Sequence, residues 1–239
     1  MIQIIFQTAI TTKSYSIGEN MKKILIICVI FFATIVGLIV LSTYKKEPTI
    51  EISNPDQIFE PLEESGLIGD KIIGDPEKAK IVVYEYADFG CPHCAEWNRT
   101  IGDLMEQYDG EIALVFRYYN LRSFNNSYAS ARAATAAQIQ GYFKEYKDLL
   151  FGNQSEWIYA GAKDAENIFI DYFKIASDGS ENVEKFTKDM QSQEVEKRLK
   201  FEQRIGKATH LKGTPYFRIN GEAIDLEKLS DKIKDLLND

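Results

Sequence analysis

Cys91 and Cys94, in the stretch ADFGCPHCAEW, are the residues of this chain whose type and spacing most directly suggest chemistry; Pro92 and His93 lie between them. Four uses of such a pair compete: a structural zinc site, haem attachment, a structural disulfide and a dithiol redox centre. A structural zinc ion takes four ligands, commonly from two such pairs. Outside the apolar N-terminal segment this chain adds only His93, inside the pair, and the distant His210. Haem attachment needs a histidine directly after the second cysteine, and Ala95 stands there. A purely structural disulfide this tight constrains the unfolded chain least.

The redox use fits the local physics. Cys91 falls at the expected N-cap of a helix opened by Pro92. Unpaired backbone N–H groups and the positive end of the helix dipole stabilise a thiolate there. Each pKa unit is ~1.4 kcal/mol and makes the disulfide more oxidising by roughly 30 mV. His93, when positively charged, adds to the effect. Cys91 is expected to be exposed and to attack, with Cys94 shielded one turn in and acting as the resolving thiol. No metal or cofactor is expected.

The elements that must position this pair can be read around it. "KIVVYEYADF", residues 80–89, is a β-branched and aromatic run suited to a central strand. A helix follows from Pro92 and ends near Gly110, and "EIALVFRYY", residues 111–119, is a second strand. Strand, helix, strand suggests a parallel βαβ unit. From about 125 to 209 the pattern turns helical. Ile139, Tyr142, Phe143, Tyr146 and Leu149 recur at helical spacing behind the alanine-rich "ARAATAA", with further helices in "AENIFIDYFKIA", "VEKFTKDM" and "EVEKRLKFEQRIG". "PYFRI", an Asn220-Gly221 hairpin turn and "EAI" restore strand. A last helix runs from Leu226 with Leu229, Ile233 and Leu236 on one face.

The chain has 239 residues, 45% of them hydrophobic, and a formal charge of −8. That allows one sizeable core with appendages. With an acidic balance and no basic cluster, nucleic acid is not an expected partner. Residues 24–41, "ILIICVIFFATIVGLIVL", form a charge-free apolar run of roughly 27 Å as a helix, close to a bilayer's hydrocarbon thickness. The run lacks a good small-x-small cleavage site, so an uncleaved transmembrane anchor is expected rather than a signal peptide. Cys28 within it reads as a small hydrophobe. Residues 1–23 form an N-terminal tail. "MKKILIICV" from Met21 looks like an export start, and a ribosome-binding sequence can encode residues 17–20; residues 1–20 are therefore expected to come from a misplaced start. Residues 42–66, polar and carrying Pro48, Pro55 and Pro61, read as a tether, and the domain as residues 67–239.

"VYEYADFGCPHC", followed far downstream by "GTPYFRING", resembles the DsbA-like thiol:disulfide oxidoreductases of the thioredoxin fold. The likeness runs from about Ile72 to the C-terminus and includes the helical insert. It implies an α/β thioredoxin-like fold and makes Cys91 the cysteine that forms mixed disulfides. Pro92-His93 is the dipeptide of the strongly oxidising members. Pro215 is implied to be a cis-proline facing the pair; proline tolerates cis and lacks an N–H. The backbone of Thr214 is implied to pair with an extended substrate segment.

Glu85 stands where the family has a buried acid. A carboxylate in such an apolar strand is costly without a partner or a task. It is either a proton carrier for Cys94 or an exposed edge-strand residue. Threonine before Pro215 also occurs in reducing and isomerising relatives. The anchor is absent from freely soluble periplasmic members.

The expected function is therefore that of an extracytoplasmic enzyme, held to the cell membrane by one helix, that introduces disulfides into exported cysteine-containing proteins. A membrane or small-molecule electron acceptor, not identified by the sequence, must reoxidise it. The alternatives are a reductase or isomerase, and a thioredoxin-fold adaptor or copper-handling protein.

Overall fold

The computed structural model describes residues 18–43, 50–120, 124–179 and 182–238. Helix α1, Glu19–Thr43, stands as a unit apart from the rest of the chain. Its window Met21–Leu38 has a mean hydropathy of 2.3 and is not buried against protein. At 25 residues it is roughly 37 Å long and can cross a bilayer, a test that a signal sequence near an N-terminus also meets. The expectation of a misplaced start falls mostly on residues 1–17, and part of the expected tether on residues 44–49; both stretches lie outside the described residues.

The second unit, Ile50–Asp239, is built on one mixed sheet. Its strands are β1 (Lys71–Ile73), β2 (Ile81–Ala87), β3 (Ile112–Tyr118), β4 (Tyr216–Ile219) and β5 (Glu222–Ile224), in the order β1-β3-β2-β4-β5. β2 and β3 are parallel, from Ile81 opposite Ile112 to Ala87 opposite Tyr118, and α2 (Pro92–Gln107) connects them. β1 against β3, β4 against β2 and β5 against β4 are antiparallel. β1 escaped the sequence reading because so short a strand shows no period. Asn220 and Gly221 both take positive φ, 52° and 85°, as the tight β4–β5 turn requires.

Alternation along the strands separates two faces. Ile81 and Val83 of β2, Ile112 and Leu114 of β3, and Phe217 and Ile219 of β4 pack with Ile101 and Leu104 of α2. Leu229, Ile233 and Leu237 of α9 (Leu226–Asn238) join the same cluster. The fully covered position is thus Leu237, with Leu236 partly buried. Tyr84, Tyr86 and Val115 face the other way, onto Phe59, Leu67 and Phe201.

The helical insert comprises α3 (Ser127–Ile139), α4 (Phe143–Gly152), α5 (Gln154–Trp157), α6 (Ala162–Ala176), α7 (Val183–Asp189) and α8 (Gln193–Ala208). The apolar spacing across Ile139 and Tyr142 does not continue as one helix. Gly141 takes φ 88° and the Tyr142 N–H returns to the Ala137 carbonyl, which ends α3 and frees α4 to turn.

Residues from Ile50 onward are not a free tether. Arg117, fully buried on β3, donates to the Gln57 carbonyl at 2.6 Å and to that of Pro55. Arg218 grips Asp56 through both oxygens, at 2.7 and 3.0 Å. The expected linker is therefore shorter at its C-terminal end, because backbone carbonyls and one carboxylate satisfy guanidinium groups that the domain has buried. Arg117 also pairs with Asp70, which in turn pairs with Arg198, and Arg198 and Lys71 share Glu202. Burial alone would raise the Asp70 carboxyl, but Arg198 and Arg117 hold it below its ordinary 3.8. Its folded-state pKa is depressed, so this stabilisation is present at neutral pH and is lost as pH falls through the acid range.

Arg117→Met leaves Asp70 short of a partner inside the protein and is expected to cost about 3–5 kcal/mol at pH 7. The cost should shrink toward pH 3. Urea unfolding at both values checks it, and a loss below about 1 kcal/mol at pH 7 would show that the network does not depend on Arg117.

Candidate active site

β2 ends at Ala87 and α2 begins at Pro92, and residues 88–91 form the turn that presents the sulfurs. Asp88 shapes this turn from inside the protein. Its Oδ1 accepts the Gly90 N–H at 2.9 Å and the Ser127 hydroxyl, and its carbonyl accepts the Cys91 N–H at 2.9 Å. Gly90 is required by close approach: a Cβ there would lie 2.4 Å from Phe124 Cβ and 3.0 Å from Ile158 Cδ1. Phe124 and Ile158 therefore press directly on this turn.

Cys91 is the N-cap of α2, at φ −80° and ψ 122°, and its side chain makes no capping hydrogen bond. Pro92 opens the first helical turn, where it has no N–H of its own to leave unpaired. Cys94 is fully buried, and Cys91 is 4% exposed rather than open as expected, since Phe124 and Ile158 crowd the preceding residue. Thr214–Pro215 is a cis peptide, and the Cys91 thiol donates to the Thr214 carbonyl at 3.5 Å. Thr214 Oγ1 is buried without a hydrogen-bond partner among the described residues, which leaves its hydroxyl free to turn to a thiolate.

The two sulfurs differ sharply in acidity. The Cys94 thiol, donating to Cys91, is the largest cause holding the Cys91 pKa down at about 6. The Cys94 N–H, the Thr214 side chain and the His93 N–H add to this, and burial opposes it. For Cys94 the order of causes is reversed. Burial pushes its thiol up first, then its bond to Cys91 and the negative charge there. The His93 imidazole points outward, 77% exposed, with Glu96 at 3.7 Å.

Glu85 lies on β2, the central strand, between Phe116 and Phe217 on the neighbouring strands. It is fully buried, and neither carboxylate oxygen has a hydrogen-bond partner among the described residues. The edge-strand alternative is excluded by this position. Burial pushes its carboxyl up to about 7; Lys147 draws it down and Asp148 raises it. Its charge in turn helps raise Cys94. A carboxyl that titrates near neutrality beside a thiol of high pKa can pass a proton to and from it.

Lys147 was missed in the sequence, although the signal existed. It falls four residues after Phe143 and three before Leu150, on the buried face of α4. Its Nζ donates to Asn98 Oδ1 and lies 3.2 Å from Asp148. His210 sits exposed in the turn after α8 with positive φ. Cys28 is on α1, and among the described residues no three His, Cys, Asp or Glu side chains gather as a metal-holding group.

A family model described as thioredoxin matches residues 67–239. Among solved structures, BdbD from Bacillus subtilis superposes with a TM-score of 0.61 at 16% identity, over 76% of this chain and 98% of that one. Alpha-DsbA1 from Wolbachia pipientis gives 0.56 at 20% identity, over 70% and 90%. A thioredoxin-like oxidoreductase from Silicibacter pomeroyi gives 0.56 at 21%, over 71% and 93%. At these identities the likeness is one of fold. A curated relative, Na(+)/H(+) antiporter NhaA 1 of Mycobacterium sp. (strain KMS), is 28% identical over 156 residues, 64% of this chain. The chain spans about a quarter of the length of the curated relatives it matches, 24% for this one.

Because the Glu85 pKa rises from 4.5 to about 7 on folding, the stability tied to it is full below pH 4.5 and is lost as pH rises through 7. Glu85→Gln is expected to unfold at the same urea concentration as the parent at pH 4. At pH 8 it should be more stable by roughly 3 kcal/mol. A gain equal at both pH values would mean that Glu85 is not a buried titrating acid.

Proposed function

We propose, for a chain that belongs to the thioredoxin family and has the DsbA-like form of its fold, the function of an extracytoplasmic thiol:disulfide oxidoreductase that introduces disulfides into exported proteins. The observation that carries this reading is the asymmetry of the pair: Cys91 at the N-cap of α2 against the carbonyl of a cis Thr214–Pro215 peptide, and Cys94 fully buried one turn behind it, so that the thiol pKa is lowered at Cys91 and raised at Cys94. A stabilised Cys91 thiolate favours the dithiol form, so the disulfide form tends to take electrons from substrates. Helix α1 supports a membrane anchor that holds the domain near secreted chains as they emerge, in a compartment where disulfides persist.

The exchange runs in two steps. A substrate thiolate attacks Cys91 Sγ of the Cys91–Cys94 disulfide, the S–S bond breaks, and the electron pair leaves on Cys94. That thiolate, costly where it lies, takes a proton, which Glu85, a buried acid whose charge acts on Cys94, can supply. A second substrate thiolate then attacks the substrate sulfur of the mixed disulfide, and Cys91 leaves as a stabilised thiolate. Substrate loses two electrons and the pair gains them. A membrane or small-molecule acceptor must remove them to restore the disulfide. Thr214, beside Cys91, supplies backbone that pairs with an extended substrate, and Pro215 borders the sulfurs.

Cys94→Ser is expected to accumulate mixed disulfides with exported proteins, because the internal thiol that could release the substrate by the reverse step is gone and only a second substrate thiol can resolve them, whereas Cys91→Ser should trap almost none. Non-reducing gels of cells expressing each variant give the result; equal trapping would reverse or abolish the assigned roles. The potential of the wild-type pair, equilibrated with glutathione, is expected above about −180 mV. A value near −270 mV would instead mark a reductase.

A further inference from the structure

Gln154 opens α5, in the insert, yet its side chain reaches into the redox turn. Nε2 donates to the Phe89 carbonyl at 2.6 Å and to the Cys91 carbonyl at 2.9 Å. These carbonyls flank Gly90, the residue on which Phe124 and Ile158 press. The Cys91 carbonyl is also the first acceptor of α2, taking the Ala95 N–H at 3.3 Å. The platform behind Gln154 is itself fixed. Trp157 is fully buried and donates to the Leu150 carbonyl at 3.0 Å. Asn126 Nδ2 donates to the carbonyls of Trp157 and Ala160 at 2.8 and 2.9 Å.

We propose that Gln154 is a positioning residue for the Cys91 thiolate, clamping the Phe89 and Cys91 carbonyls so that Cys91 Sγ stays seated at the N-terminus of α2, beside the Thr214 carbonyl. The proposal rests on the disulfide-exchange reading of the pair. Its physical basis is that hydrogen bonds weaken steeply with misalignment. The thiolate depends on donors set around it, the Cys94 thiol first, then the Cys94 N–H, the Thr214 side chain and the His93 N–H, and three of these four belong to the first turn of α2. In the disulfide form the covalent bond to Cys94 fixes the sulfur instead, so the clamp matters less there. Loss of Gln154 therefore weakens the dithiol form selectively. The amide also presents the positive end of its dipole to the turn, which favours negative charge nearby. A side chain that only supported the fold would stabilise both redox forms alike and leave the acidity of Cys91 unchanged.

The test uses the full-length protein in detergent, with Gln154→Met, which keeps length and removes the donor, and Gln154→Glu, which replaces the donor by a carboxylate. Ser155→Ala, an exposed neighbour in α5, is the control. Thiolate absorbance across pH gives the Cys91 midpoint, and equilibration with glutathione gives the redox constant. In Gln154→Met the midpoint is expected to rise by about half to one unit and the constant to fall about three- to tenfold. Gln154→Glu should exceed it, and Ser155→Ala should match the parent. In the wild type the Gln154 side-chain amide protons should shift in NMR spectra with the Cys91 midpoint, a readout that does not depend on any variant folding. An acidic wild-type midpoint left unchanged in both variants, or amide protons that do not respond, would overturn the Gln154 role and leave the redox site standing. An ordinary wild-type midpoint would instead bring down the redox reading on which the proposal rests.

Discussion

Two identical thiols one helical turn apart must be given opposite properties, and much of the rest of the structure serves that separation. Cys91 sits where α2 has unpaired N–H groups to offer, and it accepts a hydrogen bond from Cys94 as well. Cys94 sits where burial penalises charge. Their surroundings thus give the two thiols unequal acidity, lowered at Cys91 and raised at Cys94. A symmetrical pair would have no reason to divide the work.

This separation sets demands on the layers beneath. Cys94 can be buried only if the insert closes over the end of the sheet, and the packing shows how. The cluster that holds both cysteines also holds Phe89, Phe116, Tyr118, the alanines of α3 and the aromatics of α4 and α6. Small residues on α3 let the helix approach; large rings fill the space opposite. Glu85 is an acid that packing does not satisfy, set between Phe116 and Phe217 without a hydrogen bond among the described residues. Its cost in stability is tolerable as part of a mechanism and hard to account for otherwise.

The opposite face of the sheet meets the cost of buried charge differently. There Asp70, Lys71, Arg117, Arg198 and Glu202 pair among themselves, and Arg117 also takes up backbone carbonyls from the segment that enters the domain. Full pairing makes this region a clamp on residues 55–71 rather than a reactive site. Buried ionisable groups thus occur in two states in one small domain: paired around Asp70 and Glu202, and without a hydrogen bond at Glu85.

Much of this was legible in the sequence because it rests on local pattern. The strands at Ile81–Ala87 and Ile112–Tyr118, the proline-opened helix and the Asn220-Gly221 turn follow from β-branched runs, Pro92 and a glycine that accepts positive φ. Cys91, Cys94 and Pro215 were visible through spacing and resemblance. Other features depended on which residues meet across the fold. The sequence could not show that the His93 ring faces solvent, that Cys91 is enclosed, or that Pro55, Asp56 and Gln57 are bound to arginines of the sheet. Nor could it show Gln154 reaching Cys91 across 63 positions of chain. Local pattern fixes which segments are strands and helices, because period and backbone preference act over a few residues. Acidity, enclosure and clamping come from groups far apart in sequence that only a closed core brings within a hydrogen bond of one another.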